Sequence, residues 1–162
     1  MNQYADLIEK AKNMAIDYHQ GQYRRGDTEP YFNHCNRVAN HYLISLLELI
    51  FPYIKAAAYL HDIVEDTHIT FEKLKEEEFP DEVIEVVRLL TKDEEEKYED
   101  RINKIIHSNN ICAIAIKLAD STDNCFDRFN EIDRVDQFYY PKYSKNILRL
   151  NLKLNQLLST IS

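Results

Sequence analysis

A chain of 162 residues can bury a sizeable core and is expected to form a single domain, residues 1–162. Its formal charge of −8, with 44% apolar and 30% charged residues, describes a globular protein and excludes general binding of nucleic-acid polymers, which takes a basic surface. No apolar run approaches the length of a bilayer span, so a membrane is not an expected partner either.

Two glycines and four prolines leave little material for tight β-turns. Cys35, Cys112 and Cys125 are odd in number and widely spaced, which argues against a disulfide framework or a cysteine zinc site. The opening stretch "MNQYADLIEKAKNMAIDYH" lacks a secretory pattern, and a cytoplasmic location is expected.

In chain order, Leu7, Ile8, Ala11, Met14, Ala15 and Tyr18 repeat at about 3.6 residues and predict a first helix. Gly21 and the polar run that follows predict a loop over 20–29, and Pro30 is placed to open a second helix carrying Tyr31, His34, Val38 and Tyr42 into "LISLLELI". Pro52 introduces a third helix ending near "EDTH", and Thr70 is a candidate cap for a short helix "FEKLKEEE". Val83, Val86, Val87 and Leu90 form one helical stripe. "TKDEEEKYED" reads as a charged connection or a helix start, and residues 101–108 and 111–127 as two further helices. "ICAIAI" alone would also suit a buried strand, but the sequence offers such a strand no partner. Ile147, Leu150, Leu154, Leu157 and Ile161 make a final seam. The expected fold class is all-α, a compact helical bundle.

Charge behind the apolar run of "AAAYLHDIVEDT" (56–67) needs a reason, because ionisable groups are seldom buried unless paired or bound to metal. In a helix, residues four apart lie about 40° from one another, so His61 shares a face with Glu65 and Asp62 with Asp66. Asp120 and Asn124 are again four apart, and His34 lies on the half-apolar second helix. A His and an Asp from one helix, with a His and an Asp from two others, make a mixed nitrogen and oxygen donor set. Such a set suits a divalent transition metal: Mn²⁺, Fe²⁺, Zn²⁺ or Co²⁺. Singly, each feature also has a structural explanation: a His-Asp pair on a helix surface, an Asp at a helix end, a solvated "DEEEKYED", an arginine pair at 24–25 on the surface. His19, His41, His68 and His107 show no partners in sequence. The order His, His-Asp, Asp is what raises the set above its members.

That order resembles the HD superfamily of metal-dependent phosphohydrolases. "GQYRRGDTEPYFNHCNRVA" and "AAAYLHDIVEDT" resemble the first two motifs of the guanosine tetraphosphate (ppGpp) hydrolase domain of the RelA/SpoT group, and "LLTK" and "IKLADSTDN" its third and fourth. The segments recur in order from about residue 5 to 127, and the chain is similar to the small stand-alone hydrolases of that group. The resemblance implies metal ligands His34, His61, Asp62 and Asp120, with Mn²⁺ first among the ions, and a catalytic pair Glu65 and Asp66 that activates water. It implies substrate contacts from Arg24 and Asn124, and from Lys92, Lys97 and Arg101 to the far diphosphate. The implied partner is a small anionic nucleotide, and the implied reaction is removal of the 3′-pyrophosphate of ppGpp. Four positions depart from the pattern. Cys35 stands where a proline often follows the first histidine, and Ser121, Thr122 and Asp123 stand where basic and apolar residues are common. An acid at 123 is unfavourable beside a polyphosphate unless it points away. Another nucleotide, a nucleoside monophosphate or a nicotinamide dinucleotide phosphate, therefore stays open, as does a non-catalytic nucleotide-sensing bundle, which would predict loss of ligands or acids that are all present.

Overall fold

The computed structural model describes residues 3–24, 29–130 and 139–161; Arg25 of the expected loop lies outside them. The described residues form α-helices joined by short connections: α1 (Gln3–Tyr18), α2 (Phe32–Ala39), α3 (Tyr42–Leu47), α4 (Ile54–Tyr59), α5 (Ile63–Asp66), α6 (Phe71–Glu76), α7 (Asp81–Leu90), α8 (Tyr98–His107), α9 (Ile111–Asn130) and α10 (Tyr139–Leu158). Among these residues the β pairing is an isolated antiparallel bridge between Tyr23 and Pro30, and Gly21 supplies the positive φ (79°) that turns the chain into it. No described helix is long and apolar enough to cross a membrane.

At the centre lies α9, packed against α2, α3, α7, α8 and α10. Its first turns are buried on every side from Cys112 to Ile116, which is why "ICAIAI" carries no amphipathic period. α4 makes the second buried strut, with Ala56, Ala57 and Ala58 fully enclosed and α1, α2, α3 and α7 around it. Alanines at these positions let neighbouring helices approach closely. The expected stripe of α7 is buried at Val83, Val86, Val87 and Leu90. Thr70 caps α6, its hydroxyl accepting from the Lys73 amide at 3.2 Å.

Three expectations are corrected. The second helix does not run through: α2 stops at Ala39, and His41 caps α3 instead, its side chain accepting from the Leu43 amide. Ile44 and Leu47 of the following apolar run are buried, while Leu46, Leu49 and Ile50 are exposed. The third helix breaks between Tyr59 and Ile63. Leu60 (φ −94°, ψ 2°) and Asp62 (φ −108°, ψ −1°) sit in the bridge region, which re-aims His61 and Asp62 relative to a continuous helix. In the closing seam Leu150 and Leu154 are buried, but Ile161 lies beyond the end of α10 and is half exposed.

Leu150 is fully buried against this core. Leu150→Ala is expected to lower the unfolding free energy by about 2–5 kcal/mol in urea titration. The solvent-facing Leu148→Ala should change it by less than about 0.5 kcal/mol.

Candidate metal centre

Three elements meet where α4 breaks. His34 comes from α2, His61 and Asp62 from the junction of α4 and α5, and Asp120 from α9. His34, His61 and Asp120 are all buried and can each offer a ligand atom within 4.8 Å of the others. His34 Nε2 lies 3.3 Å from Asp120 Oδ1 and 3.6 Å from Asp62 Oδ2, and the two imidazole centroids are 5.2 Å apart.

The hydrogen bonds around the cluster set its chemistry. His61 Nδ1 donates to the Ala58 carbonyl at 2.8 Å, which leaves the lone pair on Nε2. That nitrogen is buried and lies 3.0 Å from Asp62 Oδ2 in a direction unsuited to a hydrogen bond, so it has no hydrogen-bond partner. His34 Nδ1 is 2.7 Å from Asp123 Oδ2, and its Nε2 faces the cluster. Tyr31 donates its hydroxyl to Asp62 Oδ2 at 2.7 Å; burial and the neighbouring Asp62 and Asp66 raise its pKa far above that of a free phenol. Asp120 accepts from Lys117 Nζ at 2.6 Å and from Asn124 Nδ2 at 2.5 Å.

Burial alone would raise the carboxylate pKa values of Asp62 and Asp120. It is outweighed by His61 and His34 at Asp62, and by Lys117 and His34 at Asp120, so both stay ionised far below the usual range. Burial likewise lowers His34, but hydrogen bonds to Asp120, Asp123 and Asp62 carry it well above the ordinary imidazole value. A pocket with these directions calls for positive charge. Two imidazole nitrogens, ionised carboxylates and an orphaned buried Nε2 fit a divalent cation.

The catalytic candidates Glu65 and Asp66 lie on α5, the helix that follows His61 and Asp62. Glu65 is held by Arg101, whose Nη1 and Nη2 donate to its two oxygens at 3.2 and 2.7 Å, and by the Lys92 amide at 3.1 Å. Arg101 is buried and also donates to the Leu90 carbonyl, so it serves Glu65 directly. Asp66 is raised by burial first and by the negative Asp62 next. Arg24 donates to Asp123 Oδ2 at 2.9 Å and Asn124 Oδ1 at 2.5 Å, which joins the first-motif loop to α9. Lys92 is exposed and meets Glu65 through its backbone amide, and the exposed Lys97 precedes α8 with no side-chain ion pair among the described residues.

Several supporting residues escaped the sequence reading. Asp123 points away from open solvent onto His34, Arg24 and Arg37, so its charge is absorbed. Lys117 had a readable signal, its i, i+3 spacing to Asp120 on one helix. His19 had none. It is buried, stacks on Tyr31 at 4.9 Å and lies 2.7 Å from Gln22 Oε1, while Gln22 donates to the Asp66 carbonyl.

Comparison with known proteins agrees with this geometry. The family model described as "HD domain" matches residues 11–125. A guanosine-3′,5′-bis(diphosphate) 3′-pyrophosphohydrolase of Haemophilus influenzae is 37% identical over 119 residues, 68% of this chain and 17% of that protein. The bifunctional (p)ppGpp synthase/hydrolase SpoT of Escherichia coli is 33% identical over 126 residues, 72% of this chain and 17% of its own. A GTP pyrophosphokinase of Myxococcus xanthus is 36% identical over 74% of this chain. The chain thus spans about a sixth of the length of these curated relatives. A solved structure, described as a metazoan ortholog of SpoT that hydrolyzes ppGpp, superposes with a TM-score of 0.66 at 26% identity over 96% of both chains. With the family model covering most of its length and the His, His-Asp, Asp residues drawn together, the chain belongs to the HD domain family.

Proposed function

We propose that this chain, acting as a single domain, is a metal-dependent phosphohydrolase that removes the 3′-pyrophosphate of ppGpp or a closely related guanine nucleotide. The observation that carries the reading is the convergence of His34, His61, Asp62 and Asp120 with Glu65 and Asp66 on the adjoining helix. The hydrolase named among its relatives and the similarity to a ppGpp-hydrolysing structure over nearly the whole chain support the substrate. The free thiols Cys35, Cys112 and Cys125 support a reducing compartment, the cytoplasm.

His34, His61, Asp62 and Asp120 would hold the ion; the mixed nitrogen and oxygen set suits Mn²⁺, Fe²⁺, Zn²⁺ or Co²⁺, and the family resemblance makes Mn²⁺ the working assignment. When bound, a divalent ion polarises a phosphoryl oxygen and lowers the pKa of a nearby water. Asp66, whose proton affinity is raised, takes a proton from the attacking water. Glu65, fixed by Arg101 and the Lys92 amide, orients that water. Attack at the 3′-phosphoryl phosphorus releases pyrophosphate and leaves the nucleoside 5′-diphosphate. Arg24 and Asn124 border the nucleotide side, with Lys92 and Lys97 as exposed cations for the distal phosphates. A second reading, hydrolysis of another nucleotide, is favoured by one feature: the Arg24 guanidinium is already engaged by Asp123 and Asn124.

A panel of nucleotides incubated with Mn²⁺ or with chelator separates these readings. Metal-dependent release of pyrophosphate from ppGpp is the expected result, and turnover confined to other nucleotides would refute the substrate assignment. Asp66→Asn and Glu65→Gln should each lower kcat by about 10²–10⁴-fold with Mn²⁺ stoichiometry unchanged. Asp62→Ala should remove both activity and metal. Arg101→Leu should resemble Glu65→Gln, losing kcat while retaining the ion; full activity would show that Arg101 does not position Glu65.

A further inference from the structure

We propose that Asp123 is a positioning residue that locks His34 in the orientation and tautomer required for a metal ligand, an inference that rests on the metal reading above. The geometry is a grip from one helix. Asp120 and Asp123 are three residues apart on α9, and the His34 ring lies between them, Nε2 3.3 Å from Asp120 and Nδ1 2.7 Å from Asp123. One turn of α9 therefore carries a ligand on one side of the imidazole and its support on the other.

The state of Asp123 decides which nitrogen of His34 carries the proton. Its Oδ1 accepts from Arg37 Nε at 2.6 Å, and its Oδ2 from Arg37 Nη2 at 3.1 Å and Arg24 Nη1 at 2.9 Å. Arg37 is in turn paired with Glu29. Surrounded by donors that never lose their protons, the carboxylate stays ionised and can only accept. Nδ1 must then carry a proton, which leaves Nε2 as the nitrogen placed to bind a cation between Asp62 and Asp120. A carboxylate behind an imidazole also makes it a stronger ligand than a carbonyl does. His61 provides the contrast within the same site, since its Nδ1 rests on the neutral Ala58 carbonyl. Because Arg37 alone supplies two of the donors, the arrangement survives even if Arg24 turns to meet a nucleotide. The acid at 123, out of place beside a polyphosphate, thus has its partner in the metal site.

Asp123→Asn tests this. Arginine donors hold both oxygens of Asp123, so an amide there must set its NH₂ against an arginine N–H or against His34 Nδ1, and either way the hold on the ring is loosened. Titration calorimetry with Mn²⁺ on the full chain is expected to show affinity weakened by about 10–100-fold. In the Zn²⁺-loaded wild-type protein, ¹⁵N-edited NMR is expected to show a proton on His34 Nδ1 that exchanges slowly. In Asp123→Asn that signal is lost while the His61 Nδ1 signal stays in place, which a general loss of structure would not produce. Unchanged Mn²⁺ affinity with the His34 signal intact would overturn the proposal and leave the metal reading standing. If wild type binds no Mn²⁺, or His61→Ala binds it equally well, the metal reading falls and this inference with it. Should Asp123→Asn fail to fold, the wild-type spectrum decides alone: no proton on His34 Nδ1 refutes the proposal.

Discussion

The enclosure of His34 by Asp62, Asp120 and Asp123 sets the terms for the rest of the structure. Carboxylates this close repel one another, and burial removes the water that would otherwise screen them. The fold meets that demand with Lys117 on Asp120, Arg37 and Arg24 on Asp123, and Tyr31 on Asp62. What these groups leave facing the centre is His34 Nε2, His61 Nε2 and the carboxylates of Asp62 and Asp120. Stability and chemistry are therefore the same electrostatic question here, and the donor set fits a divalent cation.

The helices around the site follow from that requirement. α9 is apolar enough to be buried on all sides, and that burial carries Asp120 into the interior, where a surface helix would have left it in water. α4 is narrow because of its alanines, so α2 packs against it with His34, and Asp120 arrives on α9, which packs on α2. The break at 60–62 then turns His61 and Asp62 into the gap. A second pairing, Arg101 with Glu65, fixes an acid of the adjoining helix through two hydrogen bonds. Asp66 lacks such a clamp, and its raised proton affinity complements the fixed neighbour.

Much of this was legible in the chain. Periodicity located the helices, the stripe of α7 and the cap at Thr70, and the order of His34, His61-Asp62 and Asp120 identified the cluster, because ligand types at motif spacing leave a linear trace. Two breaks were not legible. "YLHDI" contains no glycine or proline, and its turn is imposed by packing of the flanking helices rather than by local preference. Asn40 and His41 likewise end one helix and cap the next with residues that either role would accept. Long-range pairings were also out of reach. Glu65 and Arg101 lie 36 residues apart, and His34 and Asp123 lie 89 apart, so only the folded chain assigns them to one another. Arg101, expected to meet phosphate, pairs with the acid Glu65, and Asp123, an acid expected to be unfavourable beside a polyphosphate, pairs with His34.

Diffraction from crystals grown with Mn²⁺, recorded at the manganese absorption edge, decides whether the buried cluster is a metal centre. An anomalous peak bonded to His34 Nε2, His61 Nε2, Asp62 and Asp120 is expected, with Asp123 behind His34 and outside bonding distance. A cluster with no peak, or manganese bound by other residues, would contradict it.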